Sequence, residues 1–167
     1  LHLSLRRQRQ MCIRDRRETV VLQRLNGSHP VQVLSPPGSR RNASGTAMGR
    51  ALLSRLSEAE FQALYGTDAA QPLPMEGRDC PATVGDLARL VAQTRADHCG
   101  VAIDQAMPGI GAVAAAVRDP ATGELRGLCL SFVSFQADAA RVARLRESVL
   151  QQVAALGRAL NDPYWST

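Results

Sequence analysis

At 167 residues the chain is long enough for one domain with a real apolar core and too short for two full-sized ones. Hydrophobic residues make up 45% and charged ones 21%, and no apolar run approaches eighteen residues, which argues against a membrane span or a secretory signal and predicts a cytoplasmic protein. The formal charge of +5 sits entirely in residues 1–17, where six arginines face the single Asp15, so the neutral remainder lacks the phosphate-neutralising surface that DNA binding requires.

From Thr19 the chain alternates short strands and amphipathic helices. Thr19–Leu25 and Val31–Leu34 are rich in β-branched and apolar residues, and Asn26-Gly27-Ser28 between them supplies hairpin chemistry, which predicts an antiparallel pair. Pro36-Pro37-Gly38-Ser39 stops the second strand, and a helix starts at Thr46 with Ala47, Met48, Ala51 and Leu52 on one face. Ser57 and Glu60 form a capping box for a short second helix through Phe61, Leu64 and Tyr65, closed by Gly66. After an irregular, proline-containing stretch over 67–82, Thr83 and Asp86 start a third helix with Leu87, Leu90, Val91 and Thr94 on its buried face, ending near Cys99.

Val101–Asp104 reads as a strand, and Ala112–Val117, small and apolar on both faces, as an inner one. The turn Asp119–Gly123 joins it to Leu125–Val133 as a hairpin. The last helix carries Val142, Leu145, Val149, Val153, Leu156 and Leu160 at spacings of three and four, a stripe suited to covering a sheet. The order β-β-α-α-α-β-β-β-α predicts an α+β fold with a mostly antiparallel sheet, of the kind found in GAF- and PAS-like sensor domains. Cys12, Cys80, Cys99 and Cys129 are too widely spaced for a zinc site or a disulfide framework, and Asp97-His98-Cys99 reads as a helix end, since adjacent helical residues point in different directions.

Gly38-Ser39 followed, seven residues on, by Ala47-Met48-Gly49-Arg50-Ala51-Leu52-Leu53 resembles the pattern G-S-x7-A-L-G-K-A-L-L of IclR-type effector domains. The segment Asp104 to Val117, with Met107-Pro108-Gly109-Ile110-Gly111-Ala112, and the stretch Leu128-Cys129-Leu130-Ser131 follow in the order and near the spacing of that family. The resemblance implies an effector-binding domain over 18–162 and a short C-terminal tail over 163–167. It implies an amino-terminal winged helix-turn-helix, absent from this chain, as the only route to DNA. The implied partners are a small organic-acid effector and further copies of the chain in a homodimer or homotetramer, with no membrane and no cofactor. Residues 1–17 match nothing in the family pattern, and Met11–Arg16 resembles a translated sequencing adapter, so this basic tail is expected to carry no function.

An effector pocket in such a domain needs backbone N–H groups near a helix start and a few side-chain donors on the sheet. Gly45, Thr46, Ala47 and Met48 fit the first need, because small residues permit close approach and first-turn N–H groups lack helical partners. The resemblance carries an Asp contact onto Asp104 and a Ser contact onto Ser131, while a Cys position holds Ala112 and a second Ser position holds Val133. Two polar contacts are thus replaced by apolar groups, at a cost of ~1–3 kcal/mol for each buried ligand group left unpaired, which disfavours glyoxylate or pyruvate. With Met107 and Ile110 added, the expected effector is an aromatic or otherwise apolar carboxylate. A small hydrolase using Cys129 or Ser131 is the competing expectation, though His2, His29 and His98 lie in no catalytic pattern. A pure dimerisation module is the third.

Overall fold

The inner hairpin of the fold follows from alternation. In Ile110–Arg118, residues Val113, Ala115 and Val117 point to one side of the sheet and Ala112, Ala114 and Ala116 to the other, and nearly all are buried. This strand, β5, pairs antiparallel with β6, Leu125–Val133, in the register Ala112↔Ser131 and Ala114↔Cys129. β4, Gly100–Ile103, covers the other edge of β5. The computed structural model describes residues 8–15, 17–27, 33 and 35–166. Three further strands, β1 (Gln8–Asp15), β2 (Glu18–Leu25) and β3 (Arg40–Asn42), complete a sheet of order β3-β2-β1-β6-β5-β4 with every neighbouring pair antiparallel.

Helices cover both faces, which confirms the α+β reading. On one face α4, Ala139–Ala159, lays Leu145, Val149 and Val153 against Val113, Ala115, Leu130 and Phe132, the arrangement its apolar stripe predicts. On the other face α1, Ala47–Leu53, sets Ala47, Met48, Ala51 and Leu52 against Ala102, Ala114, Ala116 and Cys129. The alanines of β5 let this helix lie close to the sheet. α2 (Glu58–Tyr65) and α3 (Val84–Asp97) pack outside α1 through Leu53, Phe61, Leu87 and Val91. The predicted capping box forms, with Ser57 and Glu60 exchanging side-chain-to-backbone hydrogen bonds, and Thr83 and Asp86, expected to start the third helix, form a second one.

Two sequence expectations are corrected and a third falls outside the described residues. Residues 8–15, assigned to a tail outside the domain, form β1, an inner strand between β2 and β6. The expected strand Val31–Leu34 lies, apart from Val33, outside the described residues; β2 pairs with β1 and, over Glu18–Val20, with β3, a strand absent from the sequence expectations. The C-terminal segment is docked as well. Pro163–Trp165 form a 3-10 turn, Trp165 is buried and donates its Nε1–H to the Ala116 carbonyl at 3.0 Å, and Gly157 on α4 leaves the space its ring fills. His98 ends α3 in the left-handed conformation and packs its ring, tilted by 40°, against Tyr164 at a centroid distance of 4.4 Å, so the Asp97-His98-Cys99 cluster is a helix end as expected. Among the described residues no helix is long and apolar enough to cross a membrane, and no cluster of His, Cys, Asp or Glu could hold a metal ion.

Candidate functional site

A cavity of about 80 Å³ lies between the start of α1 and the sheet. Thr46, Ala47 and Met48 form its helix side, and Ala112, Cys129 and Ser131 of the inner hairpin form its floor. Ala106, Met107 and Ile110, from the loop after β4 and the start of β5, close one end. Thr19 and Val21 of β2, Arg41 of β3, and Val33 and Ser35 close the other, together with Cys12 of β1.

Seven of the ten expected site residues therefore converge: Thr46, Ala47, Met48, Met107, Ile110, Ala112 and Ser131. Gly45 is buried behind the helix start, where a Cβ would meet the Cys80 Sγ at 3.5 Å. Val133 pairs with Ile110 one step further along β6 and does not line the cavity. Asp104 is also outside it. Its backbone is left-handed at φ 57°, a conformation Asp tolerates, and its Oδ1 accepts from the Gly109 N–H at 2.7 Å and the Ser134 Oγ–H at 2.8 Å. The expected ligand contact is thus an organiser of the loop that presents Met107 and Ile110.

The same loop is held from α1 by Arg50, of which only 1% is exposed. Its Nη1 donates to the Gln105 Oε1 at 2.7 Å and its Nη2 to the Val101 carbonyl, while the Cys80 thiol donates to the Gln105 carbonyl at 3.0 Å. Burial lowers the Arg50 guanidinium to about 10, which leaves it charged at neutral pH. The start of α1 gives one of its first-turn donors to its own cap. Thr46 caps the helix by accepting from the Gly49 N–H at 2.9 Å, and the Arg50 N–H already bonds the Thr46 carbonyl.

Arg41, Thr19, Ser35, Val21 and Cys12 are among the lining residues that sequence reasoning missed. Thr19, Val21 and Arg41 reach it through the pairing of β2 with β3, and Cys12 through the pairing of β1 with β2 and β6, long-range events with no local signature. Alternation in Thr19–Leu25 did signal that Thr19 and Val21 share a face.

Cys129 is buried beside Ser131, its Sγ 3.9 Å from the Ser131 Oγ. Burial pushes its thiol up to about 12, against which the Ser131 hydroxyl acts only weakly. At neutral pH the group is a neutral thiol packed among alanines, which behaves as a small apolar side chain and is not an activated nucleophile. The folded protein is therefore expected to leave Cys129 unmodified by a thiol-specific reagent at pH 8, with labelling appearing only on unfolding. Peptide mapping of the labelled protein checks this, and rapid labelling of Cys129 in the folded state would contradict it.

An antiparallel sheet covered by helices on both faces, with a small, mostly apolar cavity under a helix start, defines an α+β domain able to enclose a small molecule. The sequence matches the family described as bacterial transcriptional regulator IclR C-terminal over residues 1–158. The chain belongs to the IclR family and corresponds to the C-terminal domain of its regulators. It is 30% identical over 154 residues to the HTH-type transcriptional regulator XynR of Escherichia coli K12, a match that takes in 90% of this chain and 59% of XynR. The repressor BlcR of Agrobacterium tumefaciens superposes with a TM-score of 0.78 at 25% identity, over 92% of this chain and 59% of that one. The Thermotoga maritima IclR shares the fold at a TM-score of 0.83 and 17% identity, over 93% of this chain and 62% of its own. The chain thus spans about three fifths of the length of these relatives.

Proposed function

We propose that this chain is the sensing half of a DNA-binding transcription regulator, acting with an amino-terminal winged helix-turn-helix, and that its cavity binds a small organic acid with an apolar body. The observation that carries the reading is the make-up of the cavity: Met48, Met107, Ile110 and Ala112 form apolar walls around a few polar groups, among them Ser131, the arrangement expected of a small-molecule site. The relatives' names, which describe a regulator and a repressor, supply the DNA-binding context.

Size sharpens the ligand class. About 80 Å³ is roughly half the ~150 Å³ of a cavity that accommodates benzene, so a planar ring fits only if Met48 and Met107 swing aside. A short aliphatic carboxylate fits without rearrangement and is the preferred effector, with aromatic acids second. Ala112 withholds a polar partner that a compact oxo-acid needs, so pyruvate and glyoxylate rank last.

Binding acts by population shift in a homodimer or homotetramer. The ligand bridges α1, the loop 104–109 and the β2–β3 pair, favours the arrangement in which these are closed together, and so changes the placement of the attached DNA readers. Isothermal calorimetry of the chain against straight and branched C4–C6 monocarboxylates, benzoate, pyruvate and glyoxylate tests this. Saturable binding strongest for the aliphatic acids is expected, and a panel in which only the two oxo-acids bind overturns the ligand class.

A further inference from the structure

Arg41 is the one charged side chain that lines the cavity among the described residues, and no carboxylate lines it. Register explains its direction. Thr19 lies opposite Arg41 in the β2–β3 pair, and Thr19, Val21 and Arg41 share the sheet face that turns toward the cavity. Glu18, Val20, Arg40 and Asn42 occupy the other face, where Arg40 pairs with Glu18 at 3.0 Å and the Asn42 Nδ2 donates to the Glu76 Oε1 at 2.5 Å. The nearby carboxylates are thus engaged on the far side of the strand, and the Arg41 guanidinium has no hydrogen-bond or ion-pair partner among the described residues.

A cation at the half-buried edge of an apolar cavity attracts an anion more strongly there than in open water, because the walls lower the local dielectric. The guanidinium fork matches a carboxylate in two parallel hydrogen bonds. At the opposite side of the cavity, the helix start has already committed its Gly49 and Arg50 N–H groups internally.

We propose that Arg41 is the counter-charge for the effector's carboxylate, so that the ligand lies with its acid group toward β3 and its apolar body toward Met48, Met107 and Ile110. The assignment rests on the organic-acid reading and adds to it an orientation and a specificity determinant. It restricts the effector to acids ionised at neutral pH and makes the corresponding amides and alcohols poor ligands. It also makes β3, which meets the rest of the sheet only through three residue pairs with β2, the element most directly drawn in when the ligand binds.

The test is calorimetry on the intact chain and on Arg41→Gln, Arg41→Lys and Arg41→Glu, using the tightest-binding C4–C6 monocarboxylate and its amide. Removing a charge-assisted pair is expected to weaken the acid roughly tenfold to a hundredfold in Arg41→Gln. Arg41→Lys retains part of the affinity, Arg41→Glu abolishes it, and the weak amide binding is the same in wild type and Arg41→Gln. Far-UV circular dichroism and thermal midpoint confirm that each variant is folded, and the charge-retaining lysine variant keeps the comparison valid if the glutamate variant is not. An acid that binds Arg41→Gln as tightly as wild type overturns the role of Arg41 while leaving the organic-acid reading intact. A wild-type chain that binds the amide and not the acid overturns both, and so does one that binds no acid in the panel.

Discussion

Asp162→Ala is expected to destabilise the domain by about 3–5 kcal/mol, the loss typical of removing one partner from a buried ion pair. Asp162 is 1% exposed and lies just beyond α4. Its two oxygens accept from the Arg55 Nη2 at 2.7 and 2.9 Å, from the Arg118 N–H at 2.8 Å and from the Tyr164 N–H at 3.2 Å. One carboxylate therefore ties the end of α1, the end of β5 and the C-terminal turn together. Arg55 is itself enclosed, with its guanidinium 3.7 Å from the Tyr164 ring centroid, and burial lowers its pKa while Asp162 opposes that shift. Without Asp162 that cation stays buried and unpaired, and the turn that seats Trp165 loses its cap. At this chain length the loss corresponds to a fall in Tm of roughly 6–20 °C. Urea titrations of Asp162→Ala, Arg55→Met and the double variant measure it. The double variant should recover much of the single-variant loss, because two apolar groups leave no orphaned charge. A change below 1 kcal/mol in Asp162→Ala shows that the C-terminal turn is not part of the cooperative unit.

That prediction could not have been made from sequence, and the reason is physical. The periodicity of α4 is readable because it repeats along one helix, and the capping boxes of α2 and α3 because Ser57–Glu60 and Thr83–Asp86 are three residues apart. Asn161-Asp162-Pro163 after a helix reads only as a stop signal, since its partners Arg55 and Arg118 are 107 and 44 residues away. The cavity divides in the same way. Thr46, Ala47 and Met48 were legible from the chemistry of a helix start, and Ser131, Met107 and Ile110 through a resemblance in pattern. Arg41 sits in a three-residue strand with no alternation of its own, and its direction is set by Thr19 across the ladder. Asp104, carried over from the family pattern, lies outside the cavity lining and organises the loop after β4. The glycine five residues later, whose N–H it accepts, was the available signal for that loop role.

Gly49→Ala is the sharpest test of how the cavity is built, because two effects on it have opposite signs. In a helix interior alanine is favoured over glycine by ~1 kcal/mol, so propensity alone predicts a more stable protein. The backbone geometry predicts the reverse. A Cβ on Gly49 would lie 2.0 Å from the Ala43 carbonyl oxygen and 2.3 Å from the Ala43 Cα, and neither atom is the end of a flexible side chain. Ala43 is itself fully buried, with its N–H bonded to the Arg17 carbonyl at 2.8 Å, so it has little room to retreat. Overpacking of this kind costs about 1–3 kcal/mol or more, and against main-chain atoms the upper part of that range applies, which outweighs the propensity gain. Gly49→Ala should therefore lose about 2 kcal/mol net. Because Ala43 links β3 to α1, relief of the clash moves the helix start away from Arg41 and widens the cavity. Acid binding should fall together with stability. Gly45→Ala is the control, since its Cβ meets only the Cys80 Sγ at an ordinary 3.5 Å, and it should stay within about 1 kcal/mol of wild type. Paired urea titrations decide the matter: a stabilised Gly49→Ala would mean that α1 does not press against residue 43 and that the cavity's helix wall is free to shift.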